Sequence, residues 1–247
     1  MEYVSLVNVV NNESVERTGR LLHGIKAPKL EDLNKILACS LSDINCYSRF
    51  PSDQGTSLRK IATNLVPFPR LKFVASSMVS LRHDMPSLAN EHDIILNALY
   101  CNSSLMTPAD LRNGKIMSSF CGTRGMVTFN EAETQTSLIK RLNMRYFSEW
   151  IGNNFHLAHN SMSRPDSRGS TTALINTTSI RHTFGIIHKK FTSMFKRKAH
   201  LHHYTGEGMD EMEFDQSESN FTMVMDEYKE YDQATRTDQK DYEAEDN

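Results

Sequence analysis

Apolar residues recur at helical spacing in three stretches of the chain, and these stretches predict its longest helices. The first predicts a helix over residues 28–46, with apolar positions at Leu33, Leu37, Leu41 and Ile44. The second is the clearest pattern in the sequence, with apolar positions at Ile180, Phe184, Ile187, Phe191, Met194 and Phe195. The third follows a break at residues 205–208 and has apolar positions at Phe221, Val224, Met225, Tyr228 and Tyr231. The last two stretches therefore predict a pair of long helices, with Phe184, Ile187 and Phe191 facing inward.

Between these stretches the pattern alternates between shorter helices and strands. Helices are predicted over residues 57–65, 92–103 and 130–143. Apolar or alternating runs predict strands over residues 71–76, 115–121, 146–151, 155–159 and 170–175. Mixed helices and strands followed by two long helices indicate an α+β fold, with the helix pair laid across the body.

The composition is that of a soluble globular protein that can bury a sizeable core. The chain has 247 residues, of which 38% are hydrophobic and 23% are charged. No run of apolar residues is long enough for a membrane span, and the first residues do not resemble a signal peptide. The four cysteines form no CxxC pair, which favours reduced thiols in the cytosol.

Charge is distributed unevenly along the chain. Residues 1–209 contain 16 acidic and 25 basic residues, whereas residues 210–247 contain 14 acidic and three basic residues. A basic body with an acidic tail suggests a solvated tail that attracts basic partners. A tail that only keeps the protein soluble explains the same composition, and both interpretations stay open.

A histidine-rich segment, HLHHYTGEGMDEMEF over residues 200–214, raises the question of a metal site. His200, His202 and His203 do not have the spacing that places two imidazoles on one helical face, and no cysteine lies nearby. Acid–base catalysis by Glu207 or Asp210 lacks an identifiable nucleophile or pocket. We therefore predict neither a metal site nor a catalytic site here.

The same segment resembles a known family. RKAHLHHYTGEGMDEMEF, over residues 197–214, is similar to the loop between the last two helices of tubulins, and of β chains in particular. The resemblance extends over most of the chain, from about residue 11 to residue 231. It is carried by NLVPFPRLKF (64–73), YFSEWIGNN (146–154), INTTSI (175–180) and KKFTSMFKRKAH (189–200).

The resemblance implies a tubulin-like intermediate domain, a mixed sheet with helices, followed by a C-terminal pair of long antiparallel helices. It divides the chain into the end of the nucleotide-binding domain with the core helix (1–48), the intermediate domain (49–178), the helical hairpin (179–231) and a disordered acidic tail (232–247). The N-terminal nucleotide-binding domain is expected to be missing, because the family's phosphate-binding motif GGGTGSG does not occur in the sequence.

The resemblance also implies nucleotide-binding residues. Asn12 and Asn34 match asparagines that contact guanine nucleotide in tubulins, while Leu30 replaces the aromatic residue that stacks on the base. GTP and magnesium are therefore the cofactors that the family implies. A triphosphate needs several backbone N–H groups directed at it, which this sequence does not offer. We expect the chain alone to be deficient in GTP binding and not to act as an enzyme.

Polymer and partner contacts follow from the same resemblance. Residues 51–60 align with the longitudinal-contact loop, in which Leu58 and Lys60 keep the β-chain pattern. Lys60 cannot serve as a catalytic base, because a lysine side chain is protonated at neutral pH. Residues 81–91 fall at the lateral-contact loop and diverge from the family. A partner-facing surface for motor and microtubule-associated proteins is implied at Glu207, Asp210, Glu211, Glu213 and Glu218.

The family's function is structural. We expect a tubulin β-chain-like constituent of the microtubule cytoskeleton in the cytoplasm, with α-tubulin as its heterodimer partner and no binding to nucleic acid or membrane. One alternative is a non-polymerising binding module for motors or microtubule-associated proteins. Another is a non-functional fragment, since removal of a domain exposes the apolar face that it covered.

Overall fold

The computed structural model describes residues 4–50, 56–82, 93–125, 127–148, 151–152 and 154–245. It divides the chain into two compact units, Met1–Thr177 and Thr178–Asn247. The division lies beside the sequence-based boundary between residues 178 and 179. The boundary placed between residues 48 and 49 falls inside a helix that ends at Arg49.

The first unit contains five strands and five helices among its described residues. The strands are β1 (Val7–Val9), β2 (Phe73–Arg82), β3 (Ile116–Gly125), β4 (Phe155–Asn160) and β5 (Ser167–Thr177). The helices are α1 (Asn12–Leu21), α2 (Leu30–Arg49), α3 (Leu58–Leu65), α4 (Asp93–Tyr100) and α5 (Phe129–Leu142). Two short 3₁₀ helices cover Leu111–Asn113 and Met144–Tyr146.

The strands form one mixed sheet in the order β1-β2-β5-β3-β4. β1 pairs with β2 and β3 with β4 in parallel, whereas β5 is antiparallel to both of its neighbours. Successive residues of the central strand β5 enter different cores, Leu174 packing with the residues of α2 and α3 and Ile175 with those of α4 and α5. Both faces of the sheet are therefore covered, and the predicted α+β class with a mixed sheet is confirmed.

The structure differs from the sequence-based prediction in the buried face of α2 and in one predicted strand. Leu41 is 52% exposed, and the buried face of α2 instead carries Ile36, Asp43 and Tyr47. An apolar pattern gives no signal for Asp43, because aspartate is rarely buried without a partner. The strand predicted over residues 146–151 is also wrong, because Tyr146 ends a 3₁₀ helix. Within the described part of that segment, only Phe147 forms an isolated bridge.

A buried carboxylate joins the middle of α2 to the sheet. Asp43 is 1% exposed, and its two oxygens lie 3.1 Å from Arg124 Nη1 and 3.3 Å from Arg164 Nη1. Arg124 Nε donates to the carbonyl of Met162 at 2.7 Å, and Arg164 Nη2 donates to Ser80 Oγ at 2.9 Å. One side chain of α2 is thereby tied to β3, to β2 and to the segment between β4 and β5.

One turn further along α2, Tyr47 packs into a space that a glycine leaves open. Its hydroxyl donates to the carbonyl of Thr123 at 3.2 Å, and its ring meets Phe120 edge-on at 5.7 Å. A Cβ atom on Gly122 would lie 2.3 Å from the Tyr47 hydroxyl. The absent side chain at residue 122 therefore lets α2 approach β3 closely.

The second unit contains the helices α6 (Ile180–Lys196), α7 (Leu201–Thr205) and α8 (Glu211–Glu245). Phe184, near the start of α6, packs on Tyr228 in the middle of α8, with ring centroids 6.3 Å apart. Phe195, at the end of α6, packs on Phe214 early in α8, at 5.8 Å. The contacts run in opposite orders along the two helices, which confirms the predicted antiparallel pair.

The tail predicted as disordered over residues 232–247 begins within α8, which extends to Glu245. Neither glycine nor proline occurs after Gly208, so nothing in the local sequence ends the helix. Asp232 is 1% exposed and lies 2.7 Å from Arg181 Nη2. It also accepts a hydrogen bond from Thr178 Oγ1 at 3.1 Å. This residue is a fixed part of the helix pair.

The apolar stripe of α6 is buried only in part. Phe184 is 4% exposed, whereas Ile187 is 51% exposed, so the prediction that both face inward holds for Phe184 and is wrong for Ile187. Phe191 is half-buried and stacks on Phe195.

This difference gives a matched pair of variants. Phe184→Ala should lower the free energy of unfolding by about 3–5 kcal/mol, because it leaves a cavity between the two long helices. Ile187→Ala should cost roughly 1 kcal/mol or less, because half of its side chain already meets water. Urea denaturation followed by circular dichroism measures both changes. Equal losses for the two variants would contradict this account of the pair.

Candidate functional site

The two asparagines matched to nucleotide contacts lie on neighbouring helices of the first unit. Asn11 caps α1, its Oδ1 accepting from the Glu13 N–H at 3.0 Å, and thereby places Asn12 at the first helical position. Asn34 lies in the second turn of α2. Both asparagines are exposed, and Leu30, at the position of the stacking aromatic, is 70% exposed.

These groups can contact a ligand through neutral hydrogen bonds only. Among the described residues, no hydrogen bond joins Asn12 to Asn34. An amide can pair with a base or a ribose hydroxyl, but it carries no charge to balance a phosphate. The chemistry available here suits the base-and-ribose end of a nucleotide and leaves the phosphates without a counterpart.

Leu58 and Lys60 occupy the first turn of α3. Ser57 caps this helix, because its Oγ accepts from the Lys60 N–H at 3.2 Å. Leu58 is 46% exposed and Lys60 is exposed, so both can contribute to a contact with another protein. Residues 51–55 of this loop, and nearly all of the predicted lateral-contact loop, lie outside the described residues.

Three of the predicted partner-facing carboxylates are exposed between the end of α7 and the first turn of α8. Glu207 and Glu213 are exposed, and so is Asp210, whose Oδ1 accepts from the Met212 N–H at 3.2 Å. Acidic groups at a helix N-terminus are stabilised by the backbone dipoles. We call Glu207, Asp210 and Glu213 the acidic surface.

The other two predicted carboxylates have partners inside the protein. Glu211 forms an ion pair with Lys198 Nζ at 2.9 Å. Glu218 accepts from Thr192 Oγ1 at 2.6 Å and lies 3.4 Å from His188 Nε2. Glu218 therefore links α8 to α6 and does not belong to an exposed surface. The family resemblance placed Glu218 on the partner-facing surface, and its contacts with Thr192 and His188 leave it only partly exposed.

The histidines lie in and around the short helix α7. His200 has a left-handed backbone with φ of 62°, and the rings of His202 and His203 are 4.0 Å apart. Within the described part of the chain, no group of three or more His, Cys, Asp or Glu side chains could hold a metal ion. All three histidines are exposed, and they belong to the surface that connects α6 with α8.

The four cysteines are free thiols. Burial raises the pKa of Cys121 to about 12 and also raises the pKa of Cys46. Both groups are protonated at neutral pH and do not act as nucleophiles. Among the helices of the described residues, none is long and apolar enough to cross a membrane.

Comparison with known proteins agrees with this fold. Residues 69–189 match the model of the tubulin C-terminal domain. Over 223 residues, 90% of this chain, it is 35% identical to the tubulin beta-6 chain of Gossypium hirsutum and 34% identical to the tubulin beta chain of Cicer arietinum. In each case the match covers 50% of the relative, so the chain spans about half the length of the curated relatives it matches.

The mixed sheet, the antiparallel helix pair and these matches together define the class: the chain belongs to the tubulin family. Within the family its similarity is to β chains, from which it has diverged at about two positions in three. The resemblance inferred from the sequence is therefore confirmed.

Proposed function

We propose that this protein is a β-tubulin-like component of the microtubule cytoskeleton, in the cytoplasm, with α-tubulin as its partner. The observation that carries the proposal is the match to β chains over 90% of this chain. The exposed first turn of α3 supports it, because Leu58 and Lys60 stand where the family resemblance implies a longitudinal contact.

Co-assembly tests this proposal. Labelled chain is mixed with purified αβ-tubulin and GTP, and the polymer is pelleted and washed with salt. A constituent enters the lattice, so the label should pellet with the polymer and resist the wash. Label that never pellets, or that pellets and is then washed off, would contradict incorporation into the polymer. It would favour the second function proposed below, which needs no place in the lattice.

For the cofactor, we propose that the isolated chain neither binds GTP tightly nor hydrolyses it, and that magnesium binding is lost with the nucleotide. Asn12 and Asn34 offer neutral amides, and Leu30 offers no flat ring for stacking. Two such hydrogen bonds contribute roughly 1–3 kcal/mol, whereas micromolar affinity needs about 8 kcal/mol.

Titration calorimetry with GTP in magnesium buffer should therefore detect no binding heat. ATP is the control, because equal weak responses to both nucleotides indicate general attraction to the basic part of the chain. A dissociation constant near or below micromolar for GTP alone would show that the phosphates have a binding site in this chain.

A second function, from a different class, is suggested by the acidic surface. We propose, as the alternative, a non-polymerising binding module in which Glu207, Asp210 and Glu213 bind basic surfaces of motor or microtubule-associated proteins. The three carboxylates are exposed and lie within seven residues of one another. Charges of this kind steer association more than they increase affinity.

Changing these charges should slow association with a basic microtubule-binding domain of a motor protein. The triple variant combines Glu207→Lys and Glu213→Lys with Asp210→Asn, since asparagine keeps the helix-capping oxygen. Stopped-flow measurement should give a lower on-rate at low salt. The difference should shrink at high salt, since the Debye length falls from about 10 Å at 0.1 M to about 3 Å at 1 M.

The matched control changes the charge by a similar amount elsewhere, with Glu31→Lys and Glu133→Lys on exposed positions of the first unit. This control should associate at close to the wild-type rate. Equal slowing of both variants would mean that net charge, and not the acidic surface, controls the encounter.

A further inference from the structure

The only Asn–Gly pair of the sequence, Asn113–Gly114, lies on the turn that precedes β3. Asn113 is exposed and ends the 3₁₀ helix Leu111–Asn113, three residues before β3 begins at Ile116. Asp110 caps this helix, with its Oδ1 accepting from the Arg112 N–H at 3.0 Å. The pair is thus an exposed amide followed by a residue without a side chain, on a turn that leads into the central sheet.

This arrangement has a specific reactivity. Asparagine is a thermolabile residue because its side chain can deamidate. Deamidation requires the backbone nitrogen of the next residue to reach the side-chain carbonyl carbon. A following Cβ obstructs that approach, and glycine has none. We propose that Asn113 is a site of spontaneous deamidation, with the protein's own Gly114 nitrogen as nucleophile and water as the second reactant.

Overall, the reaction consumes one water molecule and converts the side-chain amide of Asn113 into a carboxyl group. The Gly114 nitrogen forms a bond to Asn113 Cγ, the Cγ–Nδ2 bond breaks, and the Gly114 proton leaves with the amide as ammonia. Water then opens the five-membered imide at either carbonyl. Opening at one carbonyl gives aspartate at residue 113, and opening at the other gives isoaspartate.

Hydrogen bonds around the turn determine how a new carboxylate at residue 113 affects the stability of the turn. Asn113 Nδ2 donates to Asp110 Oδ2 at 3.4 Å, and Asn102 Nδ2 donates to Asp110 Oδ1 at 2.8 Å. Asn102 in turn offers its backbone carbonyl to Arg17 Nη2 of α1 at 3.1 Å. The Asp110 carboxylate therefore connects residue 113 with α1.

Deamidation replaces one of these donors with a second carboxylate. The hydrogen bond from Asn102 is the main cause that lowers the pKa of Asp110, so this group is ionised at neutral pH. Two carboxylates on one turn repel each other. The other charged group acting on Asp110 is Arg112, on the same turn, and it offsets the repulsion only in part. The product should loosen the turn at neutral pH and lose this effect in acid, where Asp110 is protonated.

The site is tested by incubating the full chain in mildly alkaline buffer made with ¹⁸O-labelled water, followed by digestion and mass spectrometry. The peptide with residue 113 should lose its amide, gain the label and contain isoaspartate. Gly114→Ala should slow the loss, and Asn113→Gln should suppress it because the ring that it forms is larger. Asn220, which precedes a bulky Phe221 within α8, is the internal control. Retention of the Asn113 amide as complete as that of Asn220 would overturn the proposal.

The consequence is tested separately with encoded variants. At neutral pH and low salt, Asn113→Asp should melt at a lower temperature than Asn113→Ala, which removes the donor without adding charge. The difference should vanish when Asp110→Asn is added and when the pH is lowered. Equal melting temperatures for Asn113→Asp and Asn113→Ala would overturn the proposed repulsion with Asp110.

Discussion

The structure of the first unit depends on the buried carboxylate of Asp43 and its two arginine partners. Placing three charged groups where water is largely excluded is costly, and the cost is offset only if every group has a close partner. Asp43 meets this condition, with one oxygen on Arg124 and the other on Arg164. Asp166, which is half-exposed, lies 3.2 Å from Arg164 Nε and balances part of the second positive charge. These contacts join α2 to the sheet at the middle of the helix.

The fixed position of α2 determines which of its residues are available for function. With Asp43 and Tyr47 directed at the sheet, Ile36 and Leu33 also turn inward, and Asn34 is left on the exposed face. The second unit also contains a buried carboxylate with an arginine partner. Asp232 pairs with Arg181. Charged residues thus set the geometry, and apolar residues supply most of the buried area.

The sequence predicted helices that local patterns encode and missed contacts between residues that are far apart in the chain. The periodicity of α6 and the turn residues around α3 are local signals, so those two helices were located within a few residues. The periodicity also predicted α8, but its predicted end at residue 231 lies well before Glu245. The pairing of Asp43 with Arg124 and Arg164 spans 81 and 121 residues, and no spacing rule predicts it. Glu218 was placed on the surface from family resemblance, and its contacts with Thr192 and His188 of another helix are likewise not predicted by any spacing rule. Asn12 and Asn34 were proposed from family resemblance, and periodicity alone gives no signal for them.

Every function proposed for this chain requires that it folds by itself, around Asp43. Equilibrium unfolding in urea tests that claim most directly, with the wild type, Asp43→Asn, and Asp166→Asn as a control on the same arginine. The account predicts a cooperative transition for the wild type and a loss of about 3–5 kcal/mol for Asp43→Asn, since two buried arginines lose their shared partner. Asp166→Asn should cost roughly 1 kcal/mol or less, because its carboxylate is half-exposed. A gradual transition without a midpoint, or equal losses in the two variants, would contradict the account.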